Sequence, residues 1–173
     1  MRRSAPQSPN AASRVTTHAD TAYAYLSQRI GKDEGSGDWL LIAQDRITAF
    51  AEVTEDRQFI HVDPVKSAEQ SPWGTTVAHG FLTLSLLTFL CESIPQPDDL
   101  LNGLVIGMNY GANKIRLLSP VKVNSRIRAN STLLGVEQKD ANTLQATHTL
   151  TVEIEDEAKP ALVAEWIVRL IYS

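Results

Sequence analysis

The hydrophobic pattern changes period once, near the middle of the chain. Over residues 19–30, Tyr23, Leu26 and Ile30 recur at spacings of three and four, which predicts an amphipathic helix stopped by Gly31. Residues 32–38 are polar and read as turns, and residues 39–43 are a short apolar run expected as a first strand. Ile47, Phe50, Ala51 and Val53 predict a second helix that fades near Glu55. Asp63 followed by Pro64 has the form of a helix N-cap with proline at the first helical position, opening a short helix to about Gln70, and residues 71–74 read as a loop. Beyond His79 the apolar residues Phe81, Leu82, Leu84, Leu87, Phe89 and Leu90 cover every face of a helix. Such a helix is expected to be buried on nearly all sides. Pro95 and Pro97 end it.

After this point the period is two. Residues 104–118 read as a long strand with turn-like glycines at Gly107 and Gly111. Alternation then marks strands over 121–133, 144–154 and 161–172, with polar turns at 138–142 and 156–160 suited to hairpins. Helices early, long antiparallel strands late and one apolar helix between them predict an α+β domain, a curved antiparallel sheet wrapped around a long buried helix: the hot-dog fold. A single sheet of this kind has open edges, so a homodimer is expected.

Composition narrows the class. The 173 residues are 43% hydrophobic and 21% charged, which excludes wholesale disorder. The net charge of −4 leaves no basic excess for nucleic acid. The one cysteine, Cys91, excludes an internal disulfide framework and any multi-cysteine metal site, and points to a reducing, cytoplasmic setting. The apolar run 81–91 is too short for a membrane span of about 20 residues. Residues 1–17 carry three arginines and no acid, so the rest of the chain carries −7 against the whole-chain −4. That segment reads as a disordered tail, with an organelle transit peptide as the alternative, ahead of a single domain over 18–173.

Candidate chemistry lies in two places. Asp56 and His61 are five residues apart, about 500° on a continuous helix, and so would point roughly 140° apart. They converge only where the helix has ended and the chain turns; together they would then form an acid–base pair. On spacing alone they read first as a surface carboxylate and a half-buried loop imidazole. Asp63 reads as a cap. Gly80 opens the apolar helix, either for close packing or to let a ligand oxygen approach unpaired N–H groups. His79 would orient or underpin that loop. His148, on the apolar face of a strand, reads as a hydrogen-bonded core histidine. His61 and Asp63 flank one residue without a clustered third ligand, so no metal is expected.

The segments Asp56-Arg57-Gln58-Phe59-Ile60-His61-Val62-Asp63-Pro64, Ala78-His79-Gly80-Phe81-Leu82-Thr83 and Asn109-Tyr110-Gly111-Ala112-Asn113 resemble the MaoC-like dehydratase family, most closely its NodN-like branch. The resemblance spans about 120 residues in family order. It implies a hot-dog fold and (R)-specific hydration of trans-2-enoyl-CoA, or the reverse dehydration, without a cofactor. Asp56 and His61 would be the catalytic pair, Gly80 the oxyanion donor and Thr88 a supporting hydroxyl. Gln58-Phe59 stands where the commoner motif has Asn-Pro, and Glu55 where glycine is frequent. An acyl-CoA or acyl-carrier-protein thioester would be the substrate. A non-catalytic acyl-thioester binding module and a hot-dog thioesterase remain as alternatives. An acidic domain repels CoA overall, so its phosphates would need local cations, with Lys114, Arg116, Lys122, Arg126 and Arg128 as candidates.

Overall fold

Alternation in the C-terminal half folds as the sequence predicts. In β4 (Arg126–Gln138), Ile127, Ala129, Ser131 and Leu133 are buried while the residues between them face outward. β5 (Thr143–Ile154) and β6 (Leu162–Tyr172) repeat the pattern, and antiparallel pairing sets Leu133 opposite His148 and His148 opposite Trp166. The computed structural model describes residues 16–173. The expected tail lies outside the described residues up to position 15; Thr17 already belongs to the fold, capping α1 (His18–Ser27) through a reciprocal pair with Asp20 at 3.1 and 3.0 Å.

The sheet runs β1–β4–β5–β6–β3, with β1 (Asp33–Ser36) and β3 (Leu104–Leu117) at its edges and the two-residue β2 (Leu40–Leu41) also on β4. Residues 32–38 are therefore not simply turn. They escape the alternation rule because a short edge strand is held by its neighbour's ladder and not by an apolar face. The strand expected from residue 121 starts at Arg126 instead; Asn124, at φ 64°, sits in a turn that closes Ser125 N–H onto the Lys122 carbonyl. Gly107 and Gly111 lie inside β3, Gly107 in regular register with Leu170 and Gly111 at one of the strand's register slips, so neither is a turn.

Helices cover the inner face in two groups. α2 (Gln44–Thr54) and the apolar segment pack Ile47, Leu87 and Leu90 onto Ile127, Val152 and Leu162. At the other end α1 packs Ala22 and Leu26 onto Leu133, Leu144 and Tyr172, with Leu100 of α7 (Asp98–Leu101) against them. The fold is the expected hot-dog arrangement, with one correction. The central helix breaks at Leu86 into α5 (Gly80–Ser85) and α6 (Leu87–Cys91), and it is not buried all round: Phe81 is 69% and Phe89 53% exposed. The sheet wraps one side only, so an all-apolar helix leaves one stripe uncovered. No helix among the described residues is long and apolar enough to cross a membrane.

Leu87 sits wholly inside the larger core. Leu87→Ala is expected to lower the unfolding free energy by about 2–5 kcal/mol in urea titrations. Val53→Ala, on the solvent face of α2, should stay within about 0.5 kcal/mol of the parent.

Candidate active site

The turn that Asp56 and His61 require is made at Glu55. α2 ends at Thr54, and Glu55 adopts a left-handed φ of 61° that swings the chain off the helix axis. A Cβ in that region costs about 1–2 kcal/mol, so glycine would suit this position better. Glu55 points to solvent and, with Glu52, pairs with Arg57. Asp56 is left on an exposed loop. One turn of helix, α3 (Phe59–Val62), then carries His61 inward to 7% exposure. Asp63 caps α4 (Pro64–Gln70) by accepting from Lys66 N–H at 2.9 Å, the structural role read from the sequence.

Residues 76–78 hold the imidazole. Val77 N–H donates to Ile60 at 2.9 Å, Ala78 N–H to Val121 at 2.7 Å, and Thr76 accepts from Val123 at 3.0 Å. The Val77 carbonyl accepts from His61 Nδ1 at 2.7 Å. A carbonyl cannot donate, so Nδ1 carries the proton and Nε2 keeps its lone pair. Gln44 buttresses this from α2, donating to the His61 carbonyl at 2.7 Å and accepting from Thr76 Oγ1 at 2.6 Å.

His79 enters from the other side. Its ring stacks on His61 at 3.6 Å and 23°, with Phe50 at 5.0 Å. Nε2 donates to the Asp56 backbone carbonyl at 2.9 Å, fixing the loop that carries the carboxylate, and Nδ1 is buried without a partner among the described residues. Ligand atoms of Asp56, His61 and His79 all lie within 4.8 Å of one another. The carboxylate and the two stacked rings are close enough for a proton to pass among them through water. Burial pushes the His61 pKa down and the neighbouring His79 adds to this, against the opposing pull of the Val77 carbonyl and Asp56.

Gly80 shares with His61 a cavity of about 270 Å³ that Thr83 and Leu117 also line. A Cβ on Gly80 would lie 2.3 Å from Leu117 Cδ1, so the position needs glycine unless Leu117 moves. Thr88 is not brought to this site. It lies beyond the helix break, accepts from Asn109 Nδ2 at 3.0 Å, and lines a second cavity. Of the five candidate cations, Arg126 and Arg128 pair with Glu155 and Glu153 and lie over Trp39, and Lys114 pairs with Glu165. Sequence reasoning assigned no chemistry to His79 and passed over Thr83; adjacency to Gly80 was the only signal for the first.

A family profile described as "MaoC like domain" matches residues 25–155. The chain belongs to this family. The MaoC-like chain is 47% identical over 148 residues to the 3-hydroxyacyl-thioester dehydratase Z of Mycobacterium tuberculosis, covering 86% of this chain and 95% of that protein. It is 42% identical over 149 residues to nodulation protein N of Rhizobium leguminosarum bv. viciae, covering 86% and 90%. Among solved structures, the unliganded R-hydratase PhaJ1 from Pseudomonas aeruginosa superposes with a TM-score of 0.65 at 19% identity, over 91% of this chain and 87% of that one. These relatives place the branch as well as the fold where the motifs put them.

A buried His61 with a lowered pKa binds no proton in the folded state where the unfolded chain, near 6.5, already does. Stability is therefore expected to fall as pH drops below about 6.5, and the acid limb of any His61-dependent reaction to lie below that value. His79→Gln removes one of the two depressing influences and should move that limb upward, read from a pH–rate profile.

Proposed function

We propose that this MaoC-like chain adds water to trans-2-enoyl thioesters to give (R)-3-hydroxyacyl thioesters, or catalyses the reverse dehydration. The observation that carries the reading is the approach of the Asp56 carboxylate and the His61 ring to within 4.8 Å. That is a gap one water spans with two ordinary hydrogen bonds. His61 Nε2 and Asp56 share the proton work. The water oxygen bonds to C3, its proton passes to the pair, and C2 takes a proton back as the C2–C3 double bond is lost. Delivery of both parts from one water makes the addition syn. The thioester oxygen gains enolate charge in this step, and the Gly80 N–H, beside the same cavity, is the donor proposed for it. The step needs only water and the thioester.

A CoA thioester is the substrate class we favour. Arg116 and Lys122 make no ion pair among the described residues and flank the Gly80 cavity in sequence through Leu117, Pro120 and Val121, so they are the cations left for its phosphates. A second copy of the chain is the proposed partner, through β3. This 14-residue edge strand exposes Val105, Ile106, Met108, Tyr110 and Leu117, and Leu117 also borders the site.

Loss of enoyl-thioester absorbance with trans-2-butenoyl-CoA tests the reaction. Asp56→Asn and His61→Ala are each expected to lower kcat by about 10²–10⁴-fold. Unchanged turnover in both would remove the assignment; thiol release from saturated acyl-CoA that survives His61→Ala would mark a thioesterase, and tight binding without turnover a carrier module. Met108→Glu is expected to shift the sedimenting species from dimer to monomer.

A further inference from the structure

The inner face of the sheet is not apolar throughout. Between the two helix-covered cores runs a row of hydrogen-bonding side chains, one from each strand in spatial order: Glu34 on β1, Ser131 on β4, His148 on β5, Trp166 on β6 and Asn109 on β3. Ala129 and Leu150 flank the row on one side, Leu133 and Ala146 on the other.

The row is tied together at both ends. One oxygen of Glu34 accepts from Ser131 Oγ at 2.6 Å and from His148 Nδ1 at 2.8 Å. At the opposite edge Trp166 Nε1 donates to Asn109 Oδ1 at 3.3 Å, and Asn109 Nδ2 donates to Thr88 Oγ1 at 3.0 Å. A cavity of about 350 Å³ lies along the row and touches all five of these strands, with Leu87, Leu150, Val168 and Leu170 among its walls. From β3 to β1 are four inter-strand steps of about 4.8 Å, about 19 Å along the curved sheet. Thr88, on the cavity wall, belongs to the same broken helix that carries Gly80, and most of the lining is apolar, which suits an aliphatic chain.

The wall beside His148 is different in kind. Burial alone would raise the Glu34 pKa, yet the hydrogen bonds from His148 and Ser131 and the Arg29 charge hold it low, so the carboxylate is ionised. His148 Nδ1–H is committed to it. Nε2 has no partner among the described residues, and the ring borders the cavity. A methyl group arriving there would strip water from Nε2 and give nothing back. A hydroxyl satisfies it in either protonation state, donating to the lone pair or accepting from Nε2–H. A terminal carboxylate would meet Glu34 as a like charge.

We propose that His148, oriented by Glu34 and Ser131, is a receptor for a hydroxyl at the end of an aliphatic chain lying in this cavity. That the chain belongs to a thioester rests on the hydratase reading; the hydroxyl receptor does not.

Calorimetry on the full chain tests this with saturated CoA thioesters of four to sixteen carbons, each ending in a methyl, a hydroxyl, a carboxylate or an ammonium group. The hydroxyl series is expected to bind about tenfold more tightly than the methyl series once the chain is long enough to reach His148, with no difference at four carbons. The double substitution Glu34→Leu with His148→Leu, which leaves no charge stranded, should reverse the preference while circular dichroism shows the fold intact. Equal affinity at every length, tighter binding of the carboxylate or ammonium series, or a hydroxyl preference that survives the double substitution would overturn the proposal. Should the variant fail to fold, the comparison on the parent chain decides by itself. Failure to hydrate trans-2-butenoyl-CoA alongside an intact hydroxyl preference would remove the catalytic reading and leave the hydroxyl receptor standing.

Discussion

The candidate site hangs on one hydrogen bond, from His61 Nδ1 to the Val77 carbonyl at 2.7 Å. It sets the imidazole tautomer, and so which nitrogen holds a lone pair. Its acceptor is fixed because residues 76–78 are bonded on both sides, to Ile60 and to the segment around Val121 and Val123. A carbonyl held so firmly does not relax when the ring's charge changes, and such preorganisation is what favours charge development in a reaction. α2, α3 and the loop before Gly80 can each be read as scaffolding for that bond, with Gln44 connecting them.

Much of this was legible in the chain. Period-two alternation located β4, β5 and β6 because each presents one apolar face to a core. Asp63-Pro64 announced a cap, since cap chemistry is local. The Asp56–His61 spacing stated its own condition, a turn between them, but could not show that Glu55 would supply it. β1 stayed hidden, as its residues Asp33–Ser36 earn their place through pairing and through Glu34's bonds to β4 and β5, neither of which leaves an apolar signature. His79 was opaque for a similar reason: its importance comes from a ring contact with a residue 18 positions earlier. Thr88, which the resemblance put beside Gly80, lines the other cavity. The break at Leu86 separates the residues of α5 that meet His61 from those of α6 that meet the second cavity.

The sheet also divides its labour. Two apolar cores would be stabler joined, since every hydrogen-bonding group placed between them must be matched or left dry. The row from Glu34 to Asn109 meets that demand mostly within itself, and the space above it stays open. A continuous core would have closed the space. Polar residues on the inner face therefore keep a void in a fold that close packing would otherwise fill.

Cys91 borders this same space and is the one thiol in the chain. Burial and the Glu34 charge push its pKa up to about 11, so it is alkylated slowly at neutral pH and faster as pH rises. Its position on the cavity wall makes it a native gauge of the cavity, because a chain lying there would shield the sulfur. The rate of labelling at this sulfur thus measures whether the interior is empty or filled, with no probe added to the protein.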